Sequence, residues 1–100
     1  MSEVNLTVEI HCLKPSWVNY ENNRYRLYVN DDLITERTWI WGLDTCIDEN
    51  FYVDLIPGNF NSMRLETVPQ ANSVVEFEMR NFRINSFSRP VAKSEITFKV

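Results

Sequence analysis

The chain has 100 residues, a formal net charge of −4 and a pI near 4.9, which bounds it to one domain able to bury about 65% of its unfolded surface around a single core. Hydrophobic residues at 44% are too frequent for disorder, and an acidic chain without a basic run is a poor candidate for nucleic-acid binding by phosphate neutralisation. No stretch approaches the roughly 18 apolar residues of a membrane helix, and Met1-Ser2-Glu3-Val4-Asn5 lacks the pattern of a secretory leader, so no membrane is expected, and the product is expected to be intracellular or assembled inside a cell and released later.

The alphabet is that of a strand former. Val, Ile and Thr account for 23 residues, aromatics for 13 and Asn for 11, against two Gly and two Ala. Of the basic residues 7 are Arg, which favours fixed, planar pairing with carboxylates.

The dominant period is two. Val4, Leu6, Val8, Ile10 and Cys12 point one way while Glu3, Asn5, Thr7, Glu9 and His11 point the other, the mark of a half-buried strand. Residues 13–23, with Pro15, Trp17 and Tyr20, read as a loop. Tyr25, Leu27 and Val29 alternate with Arg24, Arg26 and Tyr28; Asn30-Asp31-Asp32 turns the chain, and a return strand begins at Leu33 and runs towards Trp41. Residues 42–50 are expected as an acidic loop, with at most a short helical turn within 43–50. Phe51, Val53 and Leu55 then alternate, Ile56-Pro57-Gly58-Asn59 offers a type II turn, and Met63 and Leu65 alternate on the way back, a second expected hairpin. Val75, Phe77 and Met79 are followed by Phe82 and Ile84 one residue out of step, as a β-bulge produces. After a break at 88–90, Ile96, Phe98 and Val100 alternate. The expected fold is all-β: a single antiparallel β-sandwich of jelly-roll or immunoglobulin-like type, seven to eight strands, one domain over residues 1–100.

Few residues carry chemistry. Trp39 and Trp41, two apart, would share a strand face, and with Trp17 and Tyr20 they form the expected binding surface, an aromatic platform suited to sugar rings or to another protein. The competing reading puts at least one of these indoles in the core. Asp44, Asp48 and Glu49, with Asp31 and Asp32, fall short of any known calcium loop. His11 and Cys12 are neighbours in a strand and point to opposite faces, so they cannot converge on a zinc ion or act as a nucleophile–base pair. Cys12 and Cys46 are expected as reduced, largely buried thiols. Glu76 and Glu78 share a face, with Arg64, Arg80 and Arg83 available as partners, and a charged ladder accounts for them. No catalytic residues, no cofactor and no metal are expected, and the chain does not read as an enzyme.

The run Arg24-Tyr-Arg-Leu-Tyr-Val-Asn-Asp-Asp-Leu-Ile-Thr-Glu-Arg-Thr-Trp-Ile-Trp41, followed by Val53-Asp-Leu-Ile-Pro-Gly-Asn-Phe-Asn-Ser-Met-Arg-Leu-Glu66, resembles small β-sandwich structural proteins of tailed, marine myovirus-like bacteriophages. The likeness covers residues 24–66 and fades beyond them. It implies a non-enzymatic virion protein, a capsid decoration or a tail or fibre component, assembled in the host cytoplasm and binding other virion proteins or copies of itself. The same strand, Pro-Gly, strand layout is also similar to carbohydrate-binding modules, and a carbohydrate partner at a Trp platform is the alternative.

Overall fold

The computed structural model describes residues 2–14, 23–41, 45–68, 75–91 and 94–100. Eight strands run in chain order: β1 (Ser2–Lys14), β2 (Arg24–Val29), β3 (Asp32–Thr38), β4 (Cys46–Leu55), β5 (Phe60–Val68), β6 (Glu76–Ile84), β7 (Phe87–Ser88) and β8 (Glu95–Lys99). They form two four-stranded sheets, sheet I in the order β4-β1-β6-β7 and sheet II in the order β3-β2-β5-β8. Every pairing is antiparallel. The expected β-sandwich is the observed fold.

Strand β1 anchors sheet I. Its even residues Val4 to Cys12 are all buried, and it is hydrogen-bonded on one side to β4 and on the other to β6. Each such side chain contributes roughly 1.5–3 kcal/mol when fully removed from water. In sheet II, Tyr25, Leu27 and Val29 face Met63 and Leu65 of β5 along the same buried layer. Edge-on ring contacts knit the sheets together, Tyr25 to Phe77 at 5.2 Å and Trp39 to Phe77 at 5.9 Å, with Phe82 tilted on Phe98 at 5.3 Å.

The turn between β2 and β3 is a two-residue loop. Asn30 and Asp31 both have positive φ (51° and 70°), the requirement of a type I′ turn, and Val29 pairs with Asp32. Asn30 also ties the hairpin to β5, accepting from the Ser62 amide at 2.9 Å and donating its own amide to the Ser62 carbonyl at 3.0 Å. The slip in parity within β6 is a bulge. Thr7 pairs with Arg83 but Glu9 with Arg80, so β6 carries one extra residue, and Asn81 sits there with φ 53°.

Three expectations need correction, and one turn is added to them. The second hairpin is not one: β4 lies in sheet I and β5 in sheet II, so residues 56–59 form an arch across the sandwich. The turn itself has the expected chemistry, with Gly58 at φ +86° and the Asn59 amide donating to the Ile56 carbonyl at 3.3 Å. Alternation is identical for a hairpin and an arch, because both keep the apolar face inward. Next, residues 46–50 are neither loop nor helical turn. They extend β4 until Cys46 pairs with His11, because the long β1 offers backbone partners along its whole length. The return strand β3 stops at Thr38, short of Trp41. Finally, a two-residue loop at Asn85 and Ser86 (φ 49° and 72°) returns the chain as β7, which lacks the glycine that usually signals such a turn.

Candidate functional site

The expected aromatic platform divides. Trp17 and Tyr20 lie outside the described residues. Once β3 ends, the Trp39 amide donates to the Asn23 carbonyl at 2.5 Å and the Trp39 indole turns into the core, 1% exposed. Trp41 stays at the surface, 41% exposed, and leans edge-on against Trp39, with ring centroids 5.4 Å apart and planes at 74°. The two indoles therefore do not lie side by side as one flat face. What the surface presents at this end is Trp41 together with Ile40, which is 76% exposed.

The opposite end of the sandwich, where the 30–31 turn meets the 56–59 arch, mixes exposed Asn30, Asp31, Asp32 and Asn59 with large apolar side chains. Leu33, Ile56 and Phe60 are exposed there. Between the β2–β3 hairpin and the end of β4 lies a pocket of about 210 Å³ lined by Val29, Ile34, Val53 and Leu55, with Asp32 and Asp54.

A charged pair reaches into the core at the β3–β4 edge. Glu49 is only 2% exposed and accepts from Arg37 Nε at 2.5 Å. It lies on the same face of β4 as Ile47, Phe51, Val53 and Leu55, so reading that alternation backwards locates it inside. Asp48, the residue before it, faces outward, and Asp44 lies outside the described residues; Asp48 and Glu49, weighed as calcium ligands, therefore point apart. The Tyr25 hydroxyl is buried close to this pair without a hydrogen bond of normal geometry. Burial, then the Glu49 charge, push its pKa well above the ordinary tyrosine value.

The outer face of sheet I brings together a metal-capable group among the described residues. Antiparallel register sets His11 opposite Cys46 and Glu9 opposite Asp48. Glu9 Oε1 lies 3.1 Å from His11 Nε2, and these atoms and Cys46 Sγ all lie within 4.8 Å of one another. A hydrogen bond from the bulge residue Asn81, and then one from His11, hold the Glu9 carboxyl below its usual pKa. Burial, followed by the charges of Glu9 and Asp48, pushes the Cys46 thiol up. Cys12 is buried on the other face, as expected from its position beside His11. The thiol that meets His11 belongs to β4, and only the strand register reveals it.

Elsewhere among the described residues several charged side chains form ion pairs. Arg24 and Arg26 share Glu36, Arg64 bonds Asp31 at 3.2 Å and Glu66 at 3.3 Å, and Arg80 bonds Glu78 at 2.6 Å. Lys14 reaches Glu76 at 3.9 Å. Arg64 also stacks over the Tyr28 ring, 4.6 Å from its centroid. Among the described residues no helix is long and apolar enough to cross a membrane.

No protein-family model, curated protein or solved structure matches this chain.

Proposed function

We propose that the chain is a non-enzymatic structural subunit that binds other protein chains, copies of itself among them, and that it works in the virion of a tailed bacteriophage as a capsid decoration or as part of the tail or fibre. The observation that carries the protein-binding reading is the set of large apolar side chains exposed at both ends of a molecule measuring 45 × 25 × 19 Å. Ile40 and Trp41 stand exposed at one end, and Leu33, Ile56 and Phe60 at the other. Large apolar groups left in water at a domain's ends mark contact surfaces, and two different apolar ends suit head-to-tail contacts in a repeating assembly. The virion setting rests on the likeness of residues 24–66 to phage β-sandwich proteins. For carbohydrate, Trp41 is the one exposed indole among the described residues, since Trp39 is buried beneath it.

The experiment is native mass spectrometry of the purified chain, together with its co-sedimentation with tailed-phage particles. The expected result is assembly with itself or pelleting with the particles. A monomer that does neither at micromolar concentration, or a chain that instead binds polysaccharide through Trp41, overturns the proposal.

A further inference from the structure

We propose that Glu9, His11 and Cys46 bind one zinc ion on the outer face of sheet I. The three side chains come from adjacent antiparallel strands whose register is set along ten residue pairs of β1 and β4, so their placement is a property of the sheet and not of a loop. Period two puts Glu9 on the same face as His11, and direct cross-strand pairing brings Cys46 to the imidazole.

The geometry is close to what zinc requires. Bonds of about 2.0–2.3 Å in a tetrahedron place donor atoms roughly 3.3–3.8 Å apart. Glu9 Oε1 and His11 Nε2 are already 3.1 Å apart, and Cys46 Sγ is within 4.8 Å of both. A shift of about an ångström in one half-buried side chain closes the set around a zinc-sized ion.

The donor chemistry selects the metal class. A thiolate, an imidazole and a carboxylate suit borderline-soft zinc, whereas calcium and magnesium take oxygen alone. Binding exchanges the Cys46 thiol proton, released to solvent, for a sulfur–zinc bond, and the neutral His11 imidazole carries its proton on Nδ1 so that the Nε2 lone pair takes the metal. The carboxylate and thiolate together neutralise the dication, and no electrons move. Asn81, placed by the bulge, hydrogen-bonds the Glu9 carboxylate, as partners of metal-ligating side chains usually do. The fourth position opens to solvent on the face that Asp48 shares. Cys12 faces the core and takes no part.

The test uses the full chain, zinc alone and cobalt as a spectroscopic substitute. One cobalt per chain is expected, with a thiolate-to-cobalt charge-transfer band and a tetrahedral visible spectrum, both erased by added zinc. Cys46→Ser should remove the charge-transfer band, and His11→Asn should weaken zinc binding at least ~100-fold, more than the ~10–100-fold that loss of an outer-shell partner causes. Cys12→Val should leave binding unchanged. A readout that needs no variant accompanies these: alkylation of the wild-type chain, read by mass spectrometry, should modify Cys46 in metal-free buffer and spare it in zinc. Absence of stoichiometric binding at micromolar zinc, the same affinity and spectrum in the Cys46→Ser and His11→Asn variants, or alkylation of Cys46 unaffected by zinc would each overturn the site.

Discussion

Replacing Arg37 by Ala leaves the Glu49 carboxylate in place, 2% exposed, without the guanidinium that donates to it at 2.5 Å. Breaking a fully buried ion pair from one side costs about 3–5 kcal/mol, because the abandoned charge stays desolvated. Arg37 is itself 47% exposed, so part of its attraction is already screened by water. The expected loss is therefore about 2–3 kcal/mol. Glu49→Leu removes the buried charge instead and frees Arg37 to solvate, so it should fall within about 1 kcal/mol of wild type in either direction. The double variant should match Glu49→Leu, which makes the coupling about 2 kcal/mol. Urea unfolding followed by circular dichroism reads this directly. With an m-value of roughly 1–3 kcal/mol/M, Arg37→Ala should lower the midpoint by on the order of 1–2 M while m is unchanged. A midpoint for Arg37→Ala equal to wild type, or Glu49→Leu as destabilising as Arg37→Ala, would refute the reading of Glu49 as a buried charge held by one partner.

Three other outcomes follow from the core and turns. Burial raises the Tyr25 pKa, so the folded state keeps a proton that the unfolded chain gives up near pH 10. The stability from this group is fully present below that pH and is lost as pH rises from there towards the folded value. In an alkaline absorbance titration, one of the four tyrosines should ionise only as the β-sheet signal collapses, and Tyr25→Phe should remove that late step. Gly58→Ala meets no neighbour within 4 Å, so its expected cost of about 1 kcal/mol comes from φ +86° alone, and chemical denaturation should show it without a change in m. Trp39→Ala should cost about 3–5 kcal/mol and Trp41→Ala about 1 kcal/mol or less, measured as melting shifts; equal effects would contradict the burial of one indole and the exposure of the other.

Strict alternation made β1, β2 and β6 readable from residues alone, because a sheet with one buried face repeats every second side chain. The bulge at Asn81 was readable for the same reason, as a one-residue break in that repeat. Which sheet each strand joins was not. Residues 51–65 carry the same pattern whether Pro57-Gly58 closes a hairpin or carries the chain over the core, and only the competition for β1 as partner decides it. Competition for β1 also drew residues 46–50 into β4 despite their acidic, loop-like composition. The turn at Asn85-Ser86 is hidden in the sequence because asparagine and serine stand where glycine is the usual signal of positive φ. At the site, a pair of tryptophans two apart suggested a shared face, but that inference needs a strand, and β3 ends before Trp39. The Glu9, His11 and Cys46 group arises from a cross-strand register that separates its members by up to 37 positions, beyond the reach of local spacing.

The central claim is that exposed apolar ends are contact surfaces, and sedimentation velocity of the chain against an Ile40→Glu, Trp41→Glu double variant tests it most directly. Ile40 projects into water and Trp41 is 41% exposed with its edge on Trp39, so the variant should keep the wild-type circular dichroism spectrum and melt within about 8 °C of wild type. The wild-type chain should sediment faster as its concentration rises, or pellet with phage particles, while the variant remains a monomer that stays in solution. Identical sedimentation of the two proteins, alone and with particles, would contradict the claim.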